Sequence, residues 1–294
     1  MSKAEEQSGT GAPLPRWSAV IPVYNERDYL PRTLASLADQ QQPVRIIVVD
    51  NGSTDGCIED AKALAAARDL DVQFLSQAQP GQVHALKTGI DAAETEFVAI
   101  CDADTWYPPH YLTRAGDLFE EGGPDRVALG ALLMPERSAP LRDWWAANRR
   151  LAASKVWPRQ NHTSGAAQLY RTSTLKAAGG YDARRWPYVL KDHELMDRVL
   201  RLGSQTYDRA LWCISSERRE DRTKVRWTLS ERLLYHVTPF AAKHWFFNSF
   251  LKARFAARGQ KDTVLRDQSW AQGGEADGSR PDRGAADGGE EGAR

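Results

Sequence analysis

Glu96 to Trp106 reads EFVAICDADTW. The apolar run Phe97 to Cys101 stops at Asp102-Ala103-Asp104, and Pro108-Pro109 follow shortly after. A run of that length bounded by charge and proline reads as a buried strand ending at two acids. Alternate residues of an extended chain point the same way, so Asp102 and Asp104 can project together from its end. Two neighbouring carboxylates are costly without positive charge between them, and a divalent cation is the usual partner. An ordinary strand closed by an acidic turn would leave the same letters, so the surrounding chain has to separate the two readings.

Upstream, three more strand-like runs precede this one. Ser18 to Val23 (SAVIPV) leads into Tyr24-Asn25-Glu26 and a helical pattern with Leu30, Leu34 and Leu37, where Pro31 fits only the first turn. Val44 to Val49 (VRIIVV) ends in Asp50-Asn51-Gly52-Ser53-Thr54-Asp55-Gly56, a turn-forming loop that opens a helix through Leu64. Asp71 to Leu75 is a short strand; Pro80-Gly81 then precede a helix near Val83 to Ala93. Strand, loop and helix in alternation imply a mostly parallel sheet with helices on both faces. Ligands of such sheets sit at the carboxyl ends of the strands, where these three polar clusters converge.

Downstream, Val127 to Met134 reads as a strand, Leu141 to Lys155 as a helix and Ala166 to Tyr170 as a strand running into a turn. Gly179-Gly180-Tyr181-Asp182 is a turn, and Lys191-Asp192-His193-Glu194-Leu195 opens a helix through Leu202 capped by Gly203. Residues 211–214 (LWCI) read as a last strand. The expected organisation is a flexible leader over 1–16, a catalytic domain over 17–215, a basic and aromatic extension over 216–258 that is helical, and a disordered tail over 259–294.

Composition narrows the class. The chain has 294 residues with 39 basic and 39 acidic side chains, which argues against a general nucleic-acid binder. Three scattered cysteines make neither a disulfide framework nor a zinc site and fit a reducing cytoplasm. The first 16 residues have no apolar core, so they are not read as a signal peptide, and no apolar stretch of about 18 residues predicts a membrane span.

With these residues in order, the chain resembles a family 2 glycosyltransferase of the GT-A fold. The resemblance rests on Ile21-Pro22-Val23-Tyr24-Asn25-Glu26, Val48-Val49-Asp50-Asn51-Gly52-Ser53-Thr54-Asp55-Gly56, Asp102-Ala103-Asp104, Gly179-Gly180-Tyr181-Asp182 and Asp192-His193-Glu194-Leu195, over residues 17–215. It implies a single Rossmann-like domain that binds a nucleotide-diphosphate sugar, with Mg²⁺ or Mn²⁺ as cofactor. By the same resemblance, Asp104 serves chiefly the metal and Asp102 the ribose or metal. Asp50 would bond the base, where a uracil N–H suits a carboxylate and favours a UDP-sugar. Pro22, Tyr24 and Glu26 would line that pocket with Ala103; Glu26 can equally serve the dipole of the following helix. Asn51 stands where the family often has a second Asp, which weakens direct phosphate or metal contact there.

Inverting transfer needs a base for the acceptor hydroxyl. The family uses the Asp of a Glu-Asp pair, and here Lys191-Asp192 keeps the Asp and reverses its neighbour's charge. A nearby lysine favours the ionised carboxylate. Asp192 could also cap its helix. His193 and Glu194 read as supporting or helix-face residues.

Two stretches depart from simple family members. Thr223-Lys224-Val225-Arg226-Trp227 has Thr in place of the Gln of processive synthases, which points to transfer of single sugars. Glu217 to Arg226 holds five basic against three acidic residues. It reads as a solvated loop or as one bringing Arg218, Arg219 or Arg222 to the diphosphate. His236 to Phe255 interleaves aromatic and basic residues, which suits packing on the domain or peripheral contact with the inner face of a membrane. His244 within it is a candidate late metal ligand. The acceptor, a glycan, a lipid or a small molecule, is not legible. Competing readings are a nucleotidyltransferase, whose Gly-rich basic loop is missing after the first strand, and a non-catalytic nucleotide-sugar-binding protein.

Overall fold

The computed structural model describes residues 15–160, 163–216 and 227–265. One eight-stranded sheet organises them, in the order β3-β2-β1-β4-β7-β6-β8-β5. Its strands are β1 Trp17–Val23, β2 Val44–Asp50, β3 Val72–Ser76, β4 Phe97–Ile100, β5 Thr105–Trp106, β6 Arg126–Pro135, β7 Gln168–Arg171 and β8 Ser204–Ser215. Helices α1 Leu30–Ala38, α2 Cys57–Ala67, α3 Gln82–Ala92, α4 Tyr111–Glu121, α5 Pro140–Val156, α6 Thr172–Ala177, α7 Lys191–Val199 and α8 Leu229–Val237 complete the domain.

The period-2 alternation of β1 assigns its faces. Ala19, Ile21 and Val23 join Leu30, Leu34 and Leu37 of α1, with α2 and α4, in one buried cluster. Val20 faces the other way, into a cluster with Val83, Leu86 and Ile90 of α3 and Leu195, Met196 and Val199 of α7. Strands buried on both faces are why these segments read as unbroken apolar runs. Each fully buried Leu or Val contributes about 1.5–3 kcal/mol, so the two clusters are the dominant stabilising term. At Gly89, an added Cβ would meet Val20 Cγ1 at 2.4 Å, so only glycine lets α3 lie this close to β1.

Strands β1, β2, β3 and β4 pair in parallel, as expected. The second half departs from that pattern: β7 runs antiparallel between β4 and β6, and β5 antiparallel to β8. Strand β6 is antiparallel to β7 and parallel to β8, so six of the eight strands run the same way and the sheet is mostly parallel, with β5 and β7 reversed. Strand β8 is three times longer than expected, because Ser204 to Tyr207, mostly polar, pair with β6 without an apolar run to mark them. Helix α4 lies in a stretch for which the sequence yields no assignment. The expected helix through Leu202 ends at Val199, and Gly203 is not a left-handed cap: its added Cβ would sit 2.6 Å from the Asp125 carbonyl.

After α8, the segments Lys243–Trp245, Phe246–Leu251 and Lys252–Ala257 continue as helix, the middle one with π-type hydrogen bonding. Phe246, Phe247, Leu251 and Phe255 are buried against Trp186, Val189 and Tyr235. Most of the aromatic side chains of 236–255 thus pack on the catalytic domain instead of facing a membrane. Gly259 to Asp262, expected in the disordered tail, also pack: Asp262 Oδ2 accepts from the Val83 amide at 3.0 Å, and Val189 donates to the Gln260 carbonyl. Among the described residues no helix is long and apolar enough to cross a membrane.

Candidate active site

The ends of β1, β2 and β4 meet on one edge of the sheet. Asn25 adopts the left-handed region (φ 54°), a conformation Asn tolerates better than most residues. Its amide donates to Ser53 Oγ (3.1 Å), and its Oδ1 accepts from the Thr54 amide (2.8 Å). These bonds tie the Tyr24-Asn25-Glu26 turn to the Asp50 loop. Asp50 is half-buried and accepts from the Ser53 amide at 2.8 Å. Asn51 is buried and holds the next loop: its amide donates to the Gln77 and Gln79 carbonyls (2.7 Å each), and its oxygen accepts from Gly81 (2.8 Å). Asn51 thus fixes the loop 77–81, a role that suits an amide where the family often has a second acid.

Strand β4 ends at Ile100, and Asp102 to Thr105 form a turn closed by the Thr105 amide donating to the Asp102 carbonyl (3.3 Å), instead of continuing extended as expected. Ala103 is buried toward α1, with its carbonyl accepting from Thr33 Oγ1 (2.7 Å), while Asp102 and Asp104 are half-buried. Gln82 Nε2, at the start of α3, donates to Asp102 Oδ1 (3.3 Å). Ser216, just after β8, donates through Oγ to Asp104 Oδ2 (2.8 Å) and through its amide to the Asp104 carbonyl (3.1 Å). The Asp102 amide donates to the Tyr107 hydroxyl (3.2 Å), which donates onward to the Ala166 carbonyl (3.0 Å).

Ala166 belongs to the turn Gly165–Ala167, and that turn faces the candidate base. An added Cβ on Gly165 would stand 2.6 Å from Asp192 Oδ1, so the carboxylate rests directly on the glycine backbone. Tyr107 therefore spans from the acidic motif to the turn against which Asp192 rests. The helix bearing Asp192 starts at a strained point, since its N-cap is Leu190 at φ 62°. Asp192 lies inside the first turn and is not the cap. Its Oδ1 accepts from the Tyr181 hydroxyl at 2.8 Å. Burial, then the charge of Asp192, push the Tyr181 hydroxyl well above the ordinary tyrosine range, so it stays a proton donor.

The residues after Asp192 brace this arrangement. Buried Glu194 pairs with Arg198 through two bonds (2.9 and 2.8 Å), and Arg198 also donates to the Gly180 carbonyl (2.8 Å). The pair thereby clamps the Gly179-Gly180 turn that presents Tyr181. His193 packs edge-on against Trp227 and Tyr235, a helix-face role.

Pro22 is buried, and Tyr24 and Glu26 are half-buried at the same edge. His244 is exposed beside Asn248 on the C-terminal helical segment. Among the described residues no three His, Cys, Asp or Glu side chains form a metal-binding group, so His244 does not join Asp102 and Asp104. The donor set still fits Mg²⁺ or Mn²⁺, which take one or two carboxylates and complete their shell with phosphate oxygens and water. Arg218, Arg219 and Arg222 lie outside the described residues. Sequence reading did not assign Gln82, Tyr107, Gly165 or Ser216, nor a role to Tyr181; only the quoted Gly-Gly-Tyr-Asp turn carried a signal for one of them.

The profile described as Glycosyl transferase family 2 matches residues 18–177, more than half of the chain. The chain belongs to that family. An undecaprenyl-phosphate 4-deoxy-4-formamido-L-arabinose transferase of Serratia proteamaculans is 36% identical over 118 residues, 37% of this chain and 35% of that protein. Glycosyltransferase AglE of Haloferax volcanii is 32% identical over 117 residues, 39% of this chain and 38% of its own. The match spans little more than a third of the length of these relatives. The mannosyltransferase PcManGT of Pyrobaculum calidifontis, solved with GDP-Man and Mn²⁺, superposes with a TM-score of 0.63 at 20% identity, over 85% of this chain and 78% of that one. Staphylococcus aureus TarS 1–349 with UDP-GlcNAc gives 0.56 at 19% identity, over 82% and 72%. The architecture is the GT-A fold of these neighbours.

Proposed function

We propose that this chain transfers one sugar, with inversion, from a nucleotide-diphosphate donor to an acceptor hydroxyl. The observation that carries this reading is the Tyr107 bridge, which links the Asp102 amide to the turn supporting Asp192. A donor held at Asp102 and Asp104 would thus present its anomeric carbon toward a carboxylate able to take the acceptor's proton. Asp50 would accept from the base, and a UDP-sugar suits it. Tyr181 and Gly165 hold the Asp192 carboxylate in place, so its orientation is set before the acceptor arrives. Mg²⁺ or Mn²⁺ held by Asp104 and Asp102 would stabilise the charge of the departing diphosphate. Arg218, Arg219 and Arg222 would add positive charge there.

The name of the Serratia relative favours a lipid-linked acceptor, and three free, buried cysteines suit a reaction on the cytoplasmic side. Incubating the chain with a panel of nucleotide sugars, with and without Mn²⁺, tests the reading. Release of the nucleoside diphosphate only with metal supports it. Pyrophosphate release would identify a nucleotidyltransferase, and binding without turnover a non-catalytic protein.

A further inference from the structure

A core-facing amphipathic helix buries one apolar stripe and turns polar residues outward. Helix α5 has a second stripe. Asp143 and Ala147 face inward, while Leu141 (79% exposed), Trp145 (67%) and Val156 (66%) fall on the opposite side. Their spacing of 4 and 11 residues keeps them in one row about 22 Å long. Trp144 stands beside Trp145 in an edge-to-face pair at 5.1 Å. Helix α8 repeats the pattern. Glu231 and Tyr235 are buried, and Leu229 (83%), Leu233 (63%) and Val237 (63%) form an outer row at intervals of four.

The two helices meet. Trp157, following α5, contacts the His236 ring, and Gln160 bonds His236 through both its side-chain amide and its oxygen. Eight of the ten large hydrophobic residues most exposed among the described residues lie on α5, on α8 or at Trp157. Exposed apolar surface so concentrated marks an interaction face.

Charge identifies the partner. Each helix has one acid, Asp143 in α5 and Glu231 in α8, and both are buried. Asp143 accepts from Ser138 and the Ala139 amide, and Glu231 pairs with Arg258. The exposed charges of the two helices are the bases Arg142, Arg149, Lys155 and Arg232. A protein-binding face mixes signs and depletes lysine, whereas indoles, aliphatic side chains and uniform positive charge match an anionic lipid surface.

We infer that the outer faces of α5 and α8 lie against an anionic phospholipid bilayer, with Trp145 and Leu233 entering the headgroup boundary. This contact face shares only His236 and Val237, at the end of α8, with 236–255, whose phenylalanines are buried or half-buried, and it does not depend on which acceptor the enzyme uses.

The test uses the full chain without donor or acceptor. Co-sedimentation with vesicles of phosphatidylglycerol and phosphatidylcholine is compared with phosphatidylcholine alone, and brominated lipids report tryptophan depth by quenching. The expected result is binding to the anionic vesicles that falls with salt. Loss of roughly tenfold or more in affinity is expected in the double variant Trp145→Glu/Leu233→Glu. Arg149→Glu/Lys155→Glu is expected to weaken binding and flatten its salt dependence. Far-UV circular dichroism and nucleotide binding check that each variant is folded. Absence of vesicle binding, or equal binding by the variants, overturns the inference. A native dimer that Trp145→Glu/Leu233→Glu converts to monomer also overturns it and reassigns the face to a second copy. Vesicle binding is read independently of sugar transfer, so failure of the catalytic reading leaves this result intact.

Discussion

The Tyr181 hydroxyl donates to Asp192 Oδ1 at 2.8 Å, from a turn that Arg198 clamps through the Gly180 carbonyl. A hydrogen bond to a charged group is worth about 1.5–3 kcal/mol. Tyr181→Phe keeps the ring and removes only that bond. We expect turnover to fall roughly tenfold to a hundredfold with the donor KM unchanged. Steady-state kinetics would show this, and equal changes in both constants would assign Tyr181 to packing alone.

Gly165 is the second support of the same carboxylate. Gly165→Ala places a methyl 2.6 Å from Asp192 Oδ1, so the carboxylate must swing away. We expect loss of transfer with nucleotide binding retained and a thermal midpoint within a few degrees of the parent. Calorimetric titration with the nucleotide beside an activity assay separates this outcome from global damage. Asp192→Asn is expected to behave alike.

Ser216 holds Asp104 by two hydrogen bonds, from its hydroxyl and its amide. Asp104→Ala should abolish both transfer and the effect of Mn²⁺ on nucleotide binding. Ser216→Ala removes one donor to Asp104 Oδ2 and should weaken metal-dependent binding by a few-fold, as befits a single bond of about 1 kcal/mol. Titrations with UDP, with and without Mn²⁺, measure both; identical curves in the parent would sink the metal assignment.

Lys243 makes stability depend on pH. It is buried over the Tyr235 ring at 3.7 Å, and burial lowers its pKa from 10.5 to about 8. The folded state therefore binds fewer protons than the unfolded chain between about 8 and 10.5. Stability from this group rises with pH across that window and is lowest below it. Lys243→Met, similar in length, should lack the rise. The difference in melting temperature between parent and variant from pH 7 to 10 is the readout.

The first half of the sheet was legible because its signals are local. Each apolar β-branched run ends in its own polar cluster, so Asp50, Asp102 and Asp104 could be placed from neighbours in sequence. The second half was not, because its order comes from distant pairings. Ser216 reaches Asp104 across 112 positions, and β7 enters antiparallel beside β4 with nothing in its letters to give direction. The aromatic and basic residues of 236–255 fit either packing or a membrane in composition, and only burial distinguishes the two. Helix α5 shows the converse: Leu141 to Lys155 reads only as a helix, and its outer apolar row emerges once the structure shows that Asp143 and Ala147 face inward.

Asp262 fastens onto the first turn of α3, whose Gln82 touches Asp102, at a sequence separation of 179 from Val83. A chain made from its N-terminus can fold its strands early, whereas the bond from the Val83 amide to Asp262 can form only after Asp262 has left the ribosome. The proposed donor site would then gain this support only after α7 and α8 have been made, although Asp102 and Gln82 precede both.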